Sequence, residues 1–140
     1  MGDSTTSITG PTIRSSPIQT IAGGTNWKQV SASQWFTAAI KTDGTLWAWG
    51  PSDRGQVGNG RTVYYSSPIQ IGTLTKWKKI AAGGTVCHAV QNDGTLWAWG
   101  YNSSGGFLGN GTTLNYSSPI QIGSLTTWRN VFGASRAIAD

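Results

Sequence analysis

Glutamate is absent from this chain of 140 residues, histidine, cysteine and methionine occur once each, and only five acidic residues stand against ten basic ones. Without glutamate and with a single histidine there are no paired carboxylates and no cluster with metal-ligand spacing, so acid–base hydrolysis and metal chemistry lack a candidate site. The chain is expected not to be an enzyme. The lone cysteine, Cys87, excludes an intrachain disulfide and reads as a small buried apolar residue. No window carries apolar residues at the 3.6-residue period of an amphipathic helix, and no run approaches the roughly 18 apolar residues of a membrane span. The N-terminus also lacks a basic-then-apolar leader, so a soluble chain without membrane insertion is expected. The formal charge of +5 is spread over lysines and arginines that never form a run of five, the tightest group being Lys76, Lys78 and Lys79, which disfavours nucleic acid as a partner. The segment Gly105–Gly111 is glycine-rich, but no Lys-Ser/Thr follows it, so it is a turn and not a phosphate cradle. No cofactor is expected.

What is abundant points one way. Twenty glycines and eight tryptophans, with serine and threonine throughout, make a composition of strands and turns. The chain also repeats itself. Ser-Ser-Pro-Ile-Gln stands at 15–19, 66–70 and 117–121, and Asp-Gly-Thr-Leu-Trp-Ala-Trp-Gly stands unchanged at 43–50 and 93–100. Gly-Asn-Gly recurs at 58–60 and 109–111, and a tryptophan followed by a basic residue recurs at Trp27, Trp77 and Trp128. Length differences between copies fall in Gly- and Ser-rich stretches, where insertions land in loops. A unit of about 50 residues holds four strands of about five residues with their turns, the size of one propeller blade.

Within a unit the pattern predicts strands at 77–82, 87–91, 96–99 and 118–122. Asp-Gly between two apolar runs predicts a tight hairpin, because glycine tolerates the positive φ that the turn requires. Pro68 and Pro119 cannot donate to a ladder, which puts the Ser-Ser-Pro-Ile-Gln strand at a sheet edge. The third strand is apolar on both faces, Leu46 and Ala48 on one and Trp47 and Trp49 on the other, as a sheet packed on both sides requires. Ala38, Ala39, Ala81, Ala82 and Ala89 supply small residues where blades taper towards an axis. Trp47, Trp49, Trp97 and Trp99 are accordingly expected in the core between blades. Lysines beside Trp27 and Trp77 read as guards of a strand edge.

These residues resemble the regulator of chromosome condensation repeat family. The carriers are Ile80-Ala-Ala-Gly-Gly, His88, the octapeptide at 93–100, Gly106-Phe-Leu-Gly-Asn-Gly, and Ser118-Pro-Ile-Gln. The resemblance runs from residue 13 to about 135. It implies an all-β fold of four-stranded antiparallel blades, and at His88 a structural hydrogen bond to backbone. The first unit departs from it, with Ser33-Gln34 at the Gly-Gly position and Ala38 at the histidine position, and the third stops before a third octapeptide. Family members close a ring of seven blades. This chain would supply a flexible segment at 1–12, an edge strand at 15–19, two complete blades and a partial blade, in units of about 15–65, 66–116 and 117–140.

The expected function is a non-catalytic module for protein–protein interaction or for self-assembly into a closed ring, with a second copy or the rest of a longer propeller as partner. A carbohydrate-binding or viral surface structural component is the alternative, with a glycan as partner. Family members range from a nucleotide exchange factor to a photoreceptor and a β-lactamase inhibitor, so the fold alone does not choose. Candidate anchors for a partner are Trp35, Phe36, Arg54, Arg61, Tyr64, Tyr65, Tyr101, Phe107 and Tyr116, aromatic and arginine residues in or near predicted loops.

Overall fold

A computed structural model describes residues 17, 19 and 24–132, together with the backbone of 136–139. The expected segment at 1–12 and most of the expected strand at 15–19 lie outside the described residues. Ten strands form three antiparallel sheets, and no helix occurs among the described residues. The first sheet runs β1 (Trp27–Ala32), β2 (Thr37–Lys41), β3 (Leu46–Gly50) and β4 (Tyr65–Gln70), side by side in chain order. The second repeats it with β5 (Trp77–Gly83), β6 (Val86–Gln91), β7 (Leu96–Gly100) and β8 (Tyr116–Gln121). A two-stranded sheet, β9 (Trp128–Phe132) and β10 (Arg136–Ala139), begins a third. These are two complete propeller blades and a partial one. The proline-bearing strands β4 and β8 lie at sheet edges, where a missing N–H costs no ladder bond.

The two Asp-Gly hairpins are built alike. Asp43 Oδ1 accepts hydrogen bonds from Thr45 N at 3.0 Å and Thr45 Oγ1 at 2.6 Å, and Trp47 Nε1 donates to Thr45 Oγ1 at 2.8 Å. Asp93, Thr95 and Trp97 repeat the chain at 3.1, 2.6 and 2.8 Å. Gly44 and Gly94 sit at φ of 82° and 80°, and a side chain at either would run into the carbonyl of Thr75 or Thr126. The same turns then dock the next sheet, because the Gly44 carbonyl accepts from Trp77 N at 3.1 Å and the Gly94 carbonyl from Trp128 N at 3.0 Å. One turn thus closes a hairpin and sets where the following blade begins.

The core lies between sheets. Phe36, Ala38, Ile40, Leu46 and Ala48 of the first blade meet Trp77, Ile80, Cys87, Ala89 and Trp99 of the second. The opposite face of the second blade, with Ala81, Val86, Val90, Leu96 and Ala98, receives Val131 of β9. Polar side chains of β1 bridge the inner strands: Gln29 Nε2 donates to the Ile80 carbonyl and Ile80 N donates back to Gln29 Oε1, at 3.1 and 3.2 Å. Ala82 N donates to Ser31 Oγ at 2.8 Å, and Ser33 Oγ donates to the Gly84 carbonyl at 3.0 Å.

The four strand tryptophans do not share one environment. Trp99 is fully buried and donates through Nε1 to the Gln56 carbonyl at 2.9 Å, across the junction between blades. Trp97 packs on the same core, partly buried. Trp47 and Trp49 are also partly buried, but they belong to neither core cluster. Among the described residues no sheet lies across from these two, so the expectation of inter-blade core is met by Trp97 and Trp99 alone. Trp47 and Trp49 contact Trp27, with ring centroids 6.0 and 6.2 Å apart, as Trp97 and Trp99 contact Trp77. Lys41 Nζ lies 4.0 Å from the Trp47 ring centroid, a cation over an indole face.

A candidate partner-binding surface at one end of the blades

Antiparallel strands in chain order place alternate connections at opposite ends. The Asp-Gly hairpins occupy one end, and the β1–β2, β3–β4, β5–β6 and β7–β8 connections all emerge at the other. The two long connections are firmly built. In the first, Ser52, Gln56 and Val57 are buried. Ser52 Oγ accepts from Val57 N and donates to the Arg61 carbonyl, while Gln56 Oε1 accepts from Arg54 N at 2.9 Å and Gln56 Nε2 donates to Asp53 Oδ1 at 3.2 Å. Gly60 N then donates to the Ser117 carbonyl at 2.7 Å, tying this connection to the second blade. In the second connection the fully buried Asn102 donates to the Thr112 carbonyl at 2.7 Å and accepts from Leu108 N at 2.9 Å. Asn115 Oδ1 accepts from Asn102 N, Ser103 N and Ser103 Oγ.

This frame brings three of the nine candidate anchors together. Trp35 stands half-exposed at the β1–β2 connection, and Arg54 lies over Tyr101 with its guanidinium carbon 4.6 Å from the ring centroid. Trp35, Pro51, Asp53, Arg54 and Thr85 line a groove of about 370 Å³ across the two blades. Asp53 Oδ2 approaches Arg54 Nε at 3.6 Å, an exposed pair that contributes little.

The other candidates are dispersed. Phe36 is corrected outright: its ring is buried in the core between blades, because neighbours at a strand start point to opposite sides and Trp35 takes the solvent side. Tyr65 packs against the same core, its hydroxyl accepting from Asn59 Nδ2 at 2.5 Å, and Tyr116 packs against the second core. Tyr64 and Arg61 are exposed on the β3–β4 connection, and Phe107 is half-exposed on the β7–β8 connection. Ser52, Gln56, Asn102 and Asn115, which shape the surface, were missed by sequence reasoning. The corresponding positions of Ser52 and Asn102, each two residues after the octapeptide, were the available signal.

Two titratable side chains lie in the second blade's core. His88 is buried and burial lowers its pKa, opposed by a hydrogen bond between its imidazole and the Phe107 backbone. Burial raises the Cys87 thiol well above its ordinary value. Among the described residues no group of three His, Cys, Asp or Glu side chains is placed to hold a metal ion. No helix of the described residues is long and apolar enough to cross a membrane. A second cleft, of about 360 Å³, opens between the outer strands and is lined by Asn59, Gln70, Leu74, Trp77, Trp97 and Pro119 among others.

Comparison with known proteins places this architecture. The regulator of chromosome condensation (RCC1) repeat matches residues 43–90 and 93–136, and a second form of the same repeat matches 27–56. No curated protein matches. Human WBSCR16 is similar in structure at a TM-score of 0.64 and 27% identity, over 81% of this chain and 29% of that one. Prp20p from Saccharomyces cerevisiae, a structure described with its binding to Gsp1p and histones, is similar at 0.63 and 20% identity, over 81% of this chain and 28% of that one. The same yeast protein bound to Kap60 gives 0.64 and 20%, over 81% and 27%. The chain therefore spans less than a third of the length of these solved relatives.

Proposed function

This chain belongs to the regulator of chromosome condensation repeat family, and from that premise we propose that it is a non-catalytic propeller module for protein–protein interaction, which associates through the open face of its first blade. One contrast carries the reading. Ile80 and Val131, at corresponding positions of β5 and β9, are 2% and 4% exposed beneath the preceding blade, whereas Val30 of β1 is 64% exposed. Around Val30 the same face carries the partly buried Trp47 and Trp49. Blade faces of this composition are covered elsewhere in the molecule by another blade. The complementary partner is a second copy closing a ring, or a further stretch of propeller in a longer polypeptide. Prp20p is described with protein partners, Gsp1p and histones, which supports a protein partner here.

Light scattering across a dilution series tests this directly. A discrete oligomer that Val30→Asp dissociates supports self-association through this face. A monomer at every concentration sinks it and leaves only the partner from a longer chain. Turnover of any substrate by the purified protein would overturn the non-catalytic reading. The outer cleft favours glycan binding as a second reading, since indoles and amides line it together. A glycan panel that leaves tryptophan fluorescence unchanged would count against it.

A further inference from the structure

We infer that the groove at the loop end is a peptide site that takes an aspartate or glutamate side chain on Arg54 and an adjacent apolar side chain on Trp35. The inference rests on the reading of the chain as a protein-interaction module, but it uses a different surface from the blade face and a different measurement. Arg54 is held ready rather than floating. Its backbone N–H is fixed by the buried Gln56, whose own amide is fixed by Asp53, and its guanidinium lies on the Tyr101 ring at 4.6 Å. A guanidinium placed by stacking keeps its planar fork for a bidentate carboxylate and loses little side-chain freedom on binding. Trp35 is 52% exposed and lines the same groove with Pro51 and Thr85, so apolar surface stands beside the charge. Arginine and tryptophan side by side on a rigid frame have the composition of an interface anchor.

The charge balance selects the ligand. One guanidinium with Asp53 at 3.6 Å suits a single carboxylate, which can displace the weak Nε contact. Asp53 repels a phosphate dianion more strongly than a singly charged carboxylate, and among the described residues no further cation lines the groove for a polyanion. A peptide carboxylate with a neighbouring apolar residue meets both the charge and the apolar surface. At the Asp-Gly end the cation over an indole is the Lys41 ammonium on Trp47, which lacks the planar two-pronged fork that Arg54 offers a carboxylate.

The test is a nuclear magnetic resonance titration of the labelled 140-residue chain with acetyl-Ala-Phe-Asp-amide and, separately, acetyl-Ala-Phe-Asn-amide. The aspartyl peptide should shift the Trp35 indole and Arg54 Nε resonances and bind about three- to tenfold more tightly than the asparaginyl peptide, the margin of an exposed charge-assisted contact. Arg54→Gln should abolish that preference, while Arg61→Gln, on the same connection but outside the groove, should leave it intact. Added salt should narrow the gap between the peptides. Equal binding of the two peptides, or shifts confined to other residues, would overturn the proposal. The oligomer mass is read independently, so failure here and failure of the blade-face reading are separate results.

Discussion

Gly58 and Gly109 open the same Gly-Asn-Gly segment in successive blades, and a methyl group added to each should have very different consequences. Both glycines have positive φ, 92° and 74°. Alanine there costs about 1–2 kcal/mol of backbone strain at either position. At Gly58 the new Cβ would also stand 2.5 Å from Trp99 Nε1 and 2.9 Å from Trp99 Cδ1, against a ring that is fully buried and bonded to the Gln56 carbonyl. Overpacking adds about 1–3 kcal/mol, and weakening the indole hydrogen bond adds about 1 kcal/mol. At Gly109 the nearest atom is Ile122 Cγ2 at 4.0 Å, ordinary contact distance. Gly58→Ala should therefore destabilise by about 2–4 kcal/mol more than Gly109→Ala, with backbone and unfolded-chain terms cancelling in the comparison. Urea unfolding followed by tryptophan fluorescence reads this as a midpoint lower by about 1 M or more. Combining Gly58→Ala with Trp99→Phe should give less than the sum of the two single costs, since both act on one contact. Equal midpoints for the two alanine variants would refute the claim that Trp99 seats on Gly58 and that this contact holds the first two blades together.

Two further predictions concern the ionisable groups. Hydrogen bonds from the side chain and backbone of Thr45 and Thr95 lower the pKa of Asp43 and Asp93, helped by nearby Lys41 and Lys76. Folded pKa values below the unfolded ones give a contribution that is complete above the ordinary carboxylate range and is lost as pH falls through the lowered folded values. Urea midpoints from pH 7 down to 2 should drop less in the Asp43→Asn, Asp93→Asn double variant than in the parent, and an unchanged acid slope would count against these hairpins as its source. Cys87 is fully buried and its thiol is raised by burial, so a thiol reagent should modify it only as fast as the second blade opens. Modification of the native protein at the rate of a free thiol would contradict that placement.

Much of the fold is legible because its rules are local. Asp-Gly turns, edge prolines and strands apolar on both faces follow from backbone sterics and period-two alternation, and each appears where the sequence puts it. Burial of particular tryptophans is different. Trp49 and Trp99 sit in identical octapeptides, yet one is partly exposed and the other fully covered, because coverage depends on what lies across the sheet. Phe36 is the converse, a loop-adjacent aromatic turned inward. Its counterpart at the start of β6, Val86, is also apolar and buried, and that correspondence between repeats was the usable clue. The pairing of Arg54 with Tyr101 joins two different repeats and could not be read from either. The buried amide of Gln56 could not be read either, since its partners are a loop backbone N–H and the Asp53 side chain.

The bridges from Gln29, Ser31 and Ser33 end on the main chain of β5 and the turn beyond it, at Ile80, Ala82 and Gly84. A grip on backbone amides and carbonyls asks nothing of the side chains that follow. Any strand of the same path satisfies this part of the junction, so substitutions at Ile80 and Ala82 are limited by the apolar packing around them and not by these polar bridges. The corresponding positions of the second unit are Lys79, Ala81 and Gly83, so this backbone grip belongs to the first junction and is not copied with the repeat.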